Sequence, residues 1–372
     1  MMLFSKIRRS LQRQGLFRFS LGSIAFLLTF ARQYLRDFRL RGIRRFEHLV
    51  DLISFRDLPA DPTIRTKVHF YYLAWGEHLR LLFDYALPSM MQPGNIPALV
   101  EMGYEVDFYL YTKEGEIGHI ERDFHDCLQK VGQYAKVNLM PVGGYEDDHR
   151  MLLQTAAFRD QIQKCLDENA ILVAGSCDSI WGNNSVSNGV RLVRGKDICI
   201  AAPHPRISRE KAEANESFKK LKNYDHVIEN NELVKLAFDC AHSSVINSFD
   251  DKDNNATHAG LSLRRLNECD IAVISNLPSA YILSLKPQDL KFYTRYLYNE
   301  WDKRWSRRLL KENRMKVVGS SQVLFCAELT EDDVGASCKD GLLFNDKYIS
   351  KIPRLLHNFV CNSYYCHWTT RG

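Results

Sequence analysis

The chain has 372 residues, 45% of them apolar and 26% charged, which excludes wholesale disorder and leaves room for two average domains or one large α/β domain with additions. The net charge of +5 is concentrated at one end. Eleven basic residues (Lys6, Arg8, Arg9, Arg13, Arg18, Arg32, Arg36, Arg39, Arg41, Arg44, Arg45) against Asp37 and Glu47 give residues 1–50 a charge of +9, and the remaining 322 carry −4. A nucleic-acid enzyme spreads positive charge over its working face, so a slightly acidic body argues against nucleic acid as a partner.

Residues 21–31 (Leu-Gly-Ser-Ile-Ala-Phe-Leu-Leu-Thr-Phe-Ala) form the only long apolar run. It is too short to span a bilayer core of about 30 Å. It leads into Arg32 and further arginines without a small-x-small cleavage site, unlike a secretory signal. The pattern predicts a helix lying in a membrane interface with its arginines turned to anionic headgroups, each worth about 1 kcal/mol there. A helix packed on the body or on a partner is the alternative. Ten cysteines are scattered without a Cys-x-x-Cys pair, several inside apolar runs, as expected of free thiols in a reducing compartment. The expected location is cytoplasmic, peripheral to the inner face of a membrane. Cys361, Cys366 and His367 cluster too loosely for a firm zinc reading.

Val68–Leu73 reads as a strand, followed by one apolar helix face at Leu79, Leu82, Phe83, Ala86, Leu87 and Met90, stopped by Pro93-Gly94. Tyr104–Tyr111 is a second strand, Glu116–Val131 helical, and Lys136–Met140 a third strand. A long helix is predicted over Asp147–Glu168. The continuous apolar run Ala170–Ala174 predicts a strand covered on both faces. A helix over Asn184–Arg194 and a buried strand over Asp197–Ala202 follow. Beyond them come a polar helical stretch (Glu210–Asp239), a polar loop (Asp250–Asn255) and a helical turn to Leu266. Short strands near Ile271–Ile274 and Tyr281–Leu283 precede a basic amphipathic helix over Trp301–Lys311, with strands near Met315–Val318 and Val323–Ala327. This alternation predicts a mostly parallel, doubly covered sheet. Ligands of such sheets bind beyond the strand C-termini, here Trp75-Gly76-Glu77, Thr112-Lys113-Glu114, Ser176–Asn184 and Pro203–Arg206.

The glycine-rich phosphate loops, the nucleophile elbow and the zincin motif are absent. The first chemical candidate is Asp178, delivered at the end of an apolar strand. A hard divalent cation on a leaving diphosphate requires such a carboxylate, although Asp there also serves as a turn or capping residue. Arg206, in Pro203-His204-Pro205-Arg206, offers a bidentate phosphate contact, or a solvated arginine on a rigid loop. His258 is a metal ligand, an acceptor contact, a base, or a structural histidine. Trp301, Asp302 and Trp305 suit sugar-ring binding, or core packing.

Several stretches resemble a family of largely uncharacterised bacterial glycosyltransferase-like proteins. They are Tyr72–Glu77, Leu87-Pro88-Ser89 through Pro97-Ala98-Leu99, Leu110-Tyr111-Thr112, Trp301–Trp305 and Ser320–Thr330, spread over residues 67–330. The resemblance implies a GT-A-like nucleotide-sugar-binding fold, here over residues 61–335; the basic helical arm read from its charge then occupies 1–60, and a C-terminal extension 336–372. It implies a nucleotide-sugar donor near Trp75, Gly76, Thr112 and Lys113, and Asp178 where such enzymes keep a metal-binding Asp-x-Asp. Here positions 176 and 180 are Ser and Ile, so one carboxylate of the pair is missing and dependence on Mg²⁺ or Mn²⁺ is open. Glu77, Asp239 and His258 are candidate bases. The expected activity is sugar transfer to a glycan or lipid-linked acceptor; the alternative is a degenerate fold that only binds a glycan or a partner.

Overall fold

The computed structural model describes residues 65–143, 150–196, 198–246, 248–249, 261–276, 279–295, 305–331 and 363–371. Almost all of them fall in one compact unit, Glu47–Leu342 with Tyr364–Gly372. The predicted arm, His258, Trp301 and Asp302 lie outside the described residues.

Seven strands form the central sheet: β1 (Lys67–Leu73), β2 (Glu105–Lys113), β3 (Lys136–Val142), β4 (Ile171–Ala174), β6 (Cys199–Ala202), β10 (Ser279–Ser284) and β11 (Met315–Val317). Their order is β11-β6-β10-β4-β1-β2-β3. β10 runs antiparallel to β4 and β6, and the other neighbours are parallel. Alternate side chains build two cores, because successive residues of a strand face opposite sides. Val68, Phe70 and Tyr72 of β1 pack with Leu79, Leu82, Phe83, Val186 and Val190 on one face. Tyr71, Tyr109 and Leu172 pack with Phe158, Ile162, Leu233 and Trp305 on the other. The mostly parallel, doubly covered sheet predicted from the alternation is present. β5 (Ser179–Trp181), β12 (Cys326–Thr330) and β7 (Arg206–Ser208) form a small sheet in that order, and β8 (Leu261–Arg265), β9 (Asp270–Asn276) and β13 (Ser363–Thr369) form another.

Beyond shifted ends and the division of Glu210–Asp239 into three helices, four elements differ from the sequence expectation. The first helix contains a widened π turn, Leu82–Ala86, between Glu77–Leu81 and Leu87–Met90. Pro88 follows directly; in a straight helix its ring would meet the carbonyl of Asp84, and the wider turn relieves that contact. The helix expected over 116–131 divides into Ile117–Asp123 and His125–Gly132 at Phe124, whose ring stacks on Phe83 at 4.2 Å. The turn expected before Leu266 is instead β8, antiparallel to β9, as the alternation Leu261-Ser262-Leu263 requires. The last part of the expected C-terminal extension is β13, which buries Cys366 and Trp368 in the body, Trp368 edge-on to Phe325 at 5.2 Å. His367, its neighbour on the strand, is exposed beside Asp270, so Cys366 and His367 face opposite ways and share no metal position.

Candidate functional site

From β1 the chain proceeds outward to β2 and β3, then returns to lay β4 on the other side of β1. Open α/β sheets bind ligands in the crevice beyond the strand C-termini at such a reversal, here beyond β1 and β4. Both loops at the crevice are held by the sheet. Ala74 N donates to Tyr111 O at 3.0 Å, and Gly175 N donates to Tyr71 O at 3.0 Å. Gly76 has φ +56° and ψ −131°, a conformation that L side chains avoid, and this turn swings the chain into the helix beginning at Glu77. Its amide donates to Glu116 Oε1 at 3.3 Å. Gly175 serves a different end: a Cβ there would lie 2.4 Å from the Tyr72 ring.

Trp75, Gly76 and Lys113 come together, with Lys113 Nζ 5.7 Å from the Trp75 ring centre. Thr112 does not join them; it is fully buried on the strand and does not reach the crevice. Glu77 is exposed, within electrostatic reach of Arg209, which pairs with Glu213 at 2.8 Å and Glu331 at 3.5 Å.

Beyond β4, Asp178 is half-buried and accepts from Ser176 Oγ. Its main-chain carbonyl accepts from Leu329 N at 2.8 Å, which ties it to β12. Glu328 of β12 faces Ser179 on one side and Arg206 on the other. Burial, then the nearby Glu328 charge, push the Asp178 carboxyl up to about 6. Glu328 is held in turn. Arg206 Nε lies 3.1 Å from Oε1, and His204 Nε2 lies 3.0 Å from Oε2. The Tyr281 hydroxyl is 2.6 Å from His204 Nδ1. Both ring nitrogens of His204 are thus engaged, one by Glu328 and one by Tyr281, which fixes the ring between β10 and β12. Asp178 and Arg206 thus both neighbour Glu328, which His204 links to Tyr281. Glu328 lay inside the Ser320–Thr330 stretch, but nothing local marks a single Glu on a strand as the neighbour of a residue 150 positions earlier.

A buried polar network fixes the segment after Asp178. Trp181 N donates to Ser89 Oγ at 3.0 Å, and Gln92 Nε2 donates to Trp181 O at 2.9 Å. Asn95 Nδ2 donates to Gly182 O at 3.1 Å, while its Oδ1 accepts from Val186 N at 3.0 Å in the first turn of the helix Ser185–Val193. The Leu-Pro-Ser to Pro-Ala-Leu stretch thus acts as the clamp on this loop. Trp305 is a correction to the acceptor assignment. It is fully buried, edge-on to Phe158 at 6.4 Å, and works as core.

No protein-family model and no curated protein matches the chain. Among solved structures, the mannosyltransferase PcManGT from Pyrobaculum calidifontis in complex with GDP-Man and Mn²⁺ aligns with a TM-score of 0.36 and 10% identity, over 82% of this chain and 70% of that one.

Proposed function

We propose that this chain is a glycosyltransferase that moves a sugar from a nucleotide-sugar donor to a glycan or lipid-linked acceptor at a cytoplasmic membrane face. The observation that carries the reading is the reversal of strand order at β1 and β4, with Asp178 and Glu328 together after β4 and Trp75, Gly76 and Lys113 together after β1 and β2. The acceptor hydroxyl attacks the anomeric carbon as the bond to the nucleoside diphosphate breaks. The diphosphate leaves with the bonding electron pair, and the hydroxyl proton passes to a base.

Trp75 and Lys113 suit a base ring and a phosphate, and Gly76 lets the backbone approach both. Arg206 supplies fixed positive charge toward the diphosphate. Asp178 and Glu328 fit a hard divalent cation, since they offer carboxylate oxygens and their mutual repulsion is the strain a cation relieves. When bound, Mg²⁺ or Mn²⁺ supplies charge neutralisation at the leaving diphosphate. Glu328 thereby stands in for the carboxylate missing at 176. Glu77 and His258 are the proposed bases, and Trp301 and Asp302 the proposed acceptor contacts. Residues 1–50 supply the peripheral membrane contact through their charge; none of the described helices is long and apolar enough to cross a membrane.

The experiment is a titration of the purified chain with UDP-, GDP-, CDP- and dTDP-sugars, with and without Mn²⁺, followed by a transfer assay. Saturable binding of one donor class, weakened in Asp178→Ala, is expected; no binding of any donor removes the reading. A second reading, a degenerate fold that only binds a glycan or partner, is favoured by Ser176 satisfying Asp178 and by Arg206 already neutralising Glu328. Donor turnover that depends on Asp178 decides against it.

A further inference from the structure

The opposite, N-terminal edge of the same sheet carries a second convergence of ionisable side chains. Register places Lys67 beside Glu105 and His69 beside Asp107, so the His69 and Asp107 side chains stand together on one face of β1 and β2. Glu168 joins them from the end of the helix Arg150–Asp167, just before β4. His69 and Asp107 are 0% and 1% exposed. His69 Nε2 lies 3.5 Å from Asp107 Oδ2 and 3.4 Å from Glu168 Oε2. Yet Nε2 and Asp107 Oδ1 are both buried without a hydrogen-bond partner. Polar atoms sealed from water are normally satisfied, so a buried ring nitrogen without a hydrogen bond, set against two carboxylates, points to something that fits between them.

The charges point the same way. Lys67 Nζ bridges Glu105 at 2.9 Å, Asp107 at 3.1 Å and Glu168, so one ammonium faces three carboxylates. Three carboxylates against one ammonium leave anionic oxygen beside the imidazole, the donor type a divalent ion takes.

The other ring nitrogen is already anchored. His69 Nδ1 faces Gln161 Nε2 at 3.0 Å and Cys165 Sγ at 3.3 Å. Turning the Gln161 amide by 180° exchanges its oxygen and nitrogen within the same shape. Nδ1–H then donates to Gln161 Oε1, Gln161 Nε2 donates to the Tyr111 hydroxyl, and Tyr111 donates to Asp160 Oδ2 at 2.6 Å. This leaves the Nε2 lone pair directed at the carboxylates, which is how metal-ligating histidines are oriented. The spacing agrees: ligands about 2.1 Å from a tetrahedral ion are about 3.4 Å apart. A nucleophilic reading of Cys165, His69 and Asp107 fails, because the thiol is 1% exposed and burial pushes it up to about 12.

We propose that His69 Nε2, Asp107 and Glu168 bind one divalent first-row transition ion of the zinc type, which pins β1, β2 and the entry to β4. One imidazole with two carboxylates is a donor set suited to zinc, and all three ligand atoms lie within 4.8 Å of one another. The site is independent of the sugar-transfer crevice.

The test uses the full chain, stripped with EDTA and titrated with Zn²⁺ by calorimetry, with retained metal measured after desalting and thermal unfolding followed with and without the ion. Co²⁺ is added in parallel to read the ligand field. In Asp178→Ala, which lacks a carboxylate of the cation site proposed at the other edge, one ion per chain, a raised Tm and tetrahedral Co²⁺ absorption bands are expected. Added to Asp178→Ala, His69→Gln, which keeps the volume and a polar tip, is expected to weaken this remaining binding at least ~100-fold. Equal affinity in Asp178→Ala with and without His69→Gln overturns the proposal. So does the absence of retained metal in the wild-type chain, which would leave the Lys67 ammonium as the permanent cation of the cluster.

Discussion

The two edges of the central sheet use the same chemical alphabet in opposite surroundings. At the N-terminal edge a lysine, a histidine and carboxylates meet where His69 and Asp107 are sealed from water. At the C-terminal edge an arginine, a histidine and two carboxylates meet where Asp178, Glu328, His204 and Arg206 all remain partly open. A sealed cluster is costly to disturb and serves the fold. An open one can exchange its internal partners for those of a ligand. Access separates a strut from a site here, more than residue type does.

The sharpest way to break this contrast is at the sealed edge. Lys67→Met in metal-free buffer leaves the buried Asp107 charge without its ammonium, and about 3–5 kcal/mol of stability should disappear in urea unfolding. A variant within about 1 kcal/mol of wild type would mean that water reaches this edge after all. At the open edge the effect should move from stability to activity. Asp178→Ala is expected to lower sugar transfer about 100- to 1,000-fold, the range for removing one preorganised charge contact, while unfolding stays near wild type. Loss of stability without loss of transfer would reverse the two roles.

Sequence alone made the strut-like parts of this architecture legible. β1, β2, β4 and β6 announce themselves as apolar or alternating runs, and their order with intervening helices implies the parallel sheet and its C-terminal crevice. Asp178 follows from that logic, as the first carboxylate after β4. The three-residue strands β5 and β7 carry no periodic signal, so the small sheet that brings Glu328 between Asp178 and Arg206 was invisible. Trp305 shows the converse failure. Tryptophan beside arginines reads equally as a sugar platform or as core, and only packing against Phe158 decides. The break at Phe124 likewise depends on Phe83, 41 positions earlier in the chain.

A smaller effect sharpens the comparison from the clamp that joins the fold to the open edge. Asn95→Ala strands the Val186 amide and the Gly182 carbonyl in a dry interior, at a cost of about 1–3 kcal/mol. Because the clamp holds the segment after Asp178, the donor KM should rise by more than kcat falls. A stability loss with unchanged kinetics would show that the loop finds its position without the network.

The smallest effect concerns the proton on Asp178, measured in EDTA. Its folded-state value of about 6 stands above the ordinary value of about 3.9 for an unfolded aspartate, so between pH 4 and 6 the folded chain binds more protons than the unfolded one. Stability then falls as pH rises through that window and levels off above it. A fully buried group shifted this far would contribute about 3 kcal/mol; solvent around the half-open Asp178 reduces the expected slope to about 1 kcal/mol in all. Asp178→Asn, neutral at every pH and nearly the same shape, should flatten this part of the profile and melt higher than wild type at pH 7 but not at pH 4. His69→Gln should leave the slope intact, since His69 lies at the other edge. If Asp178→Asn keeps the slope, the repulsion between Asp178 and Glu328 is already relieved by Arg206 and His204, and the open edge is as well compensated as the sealed one.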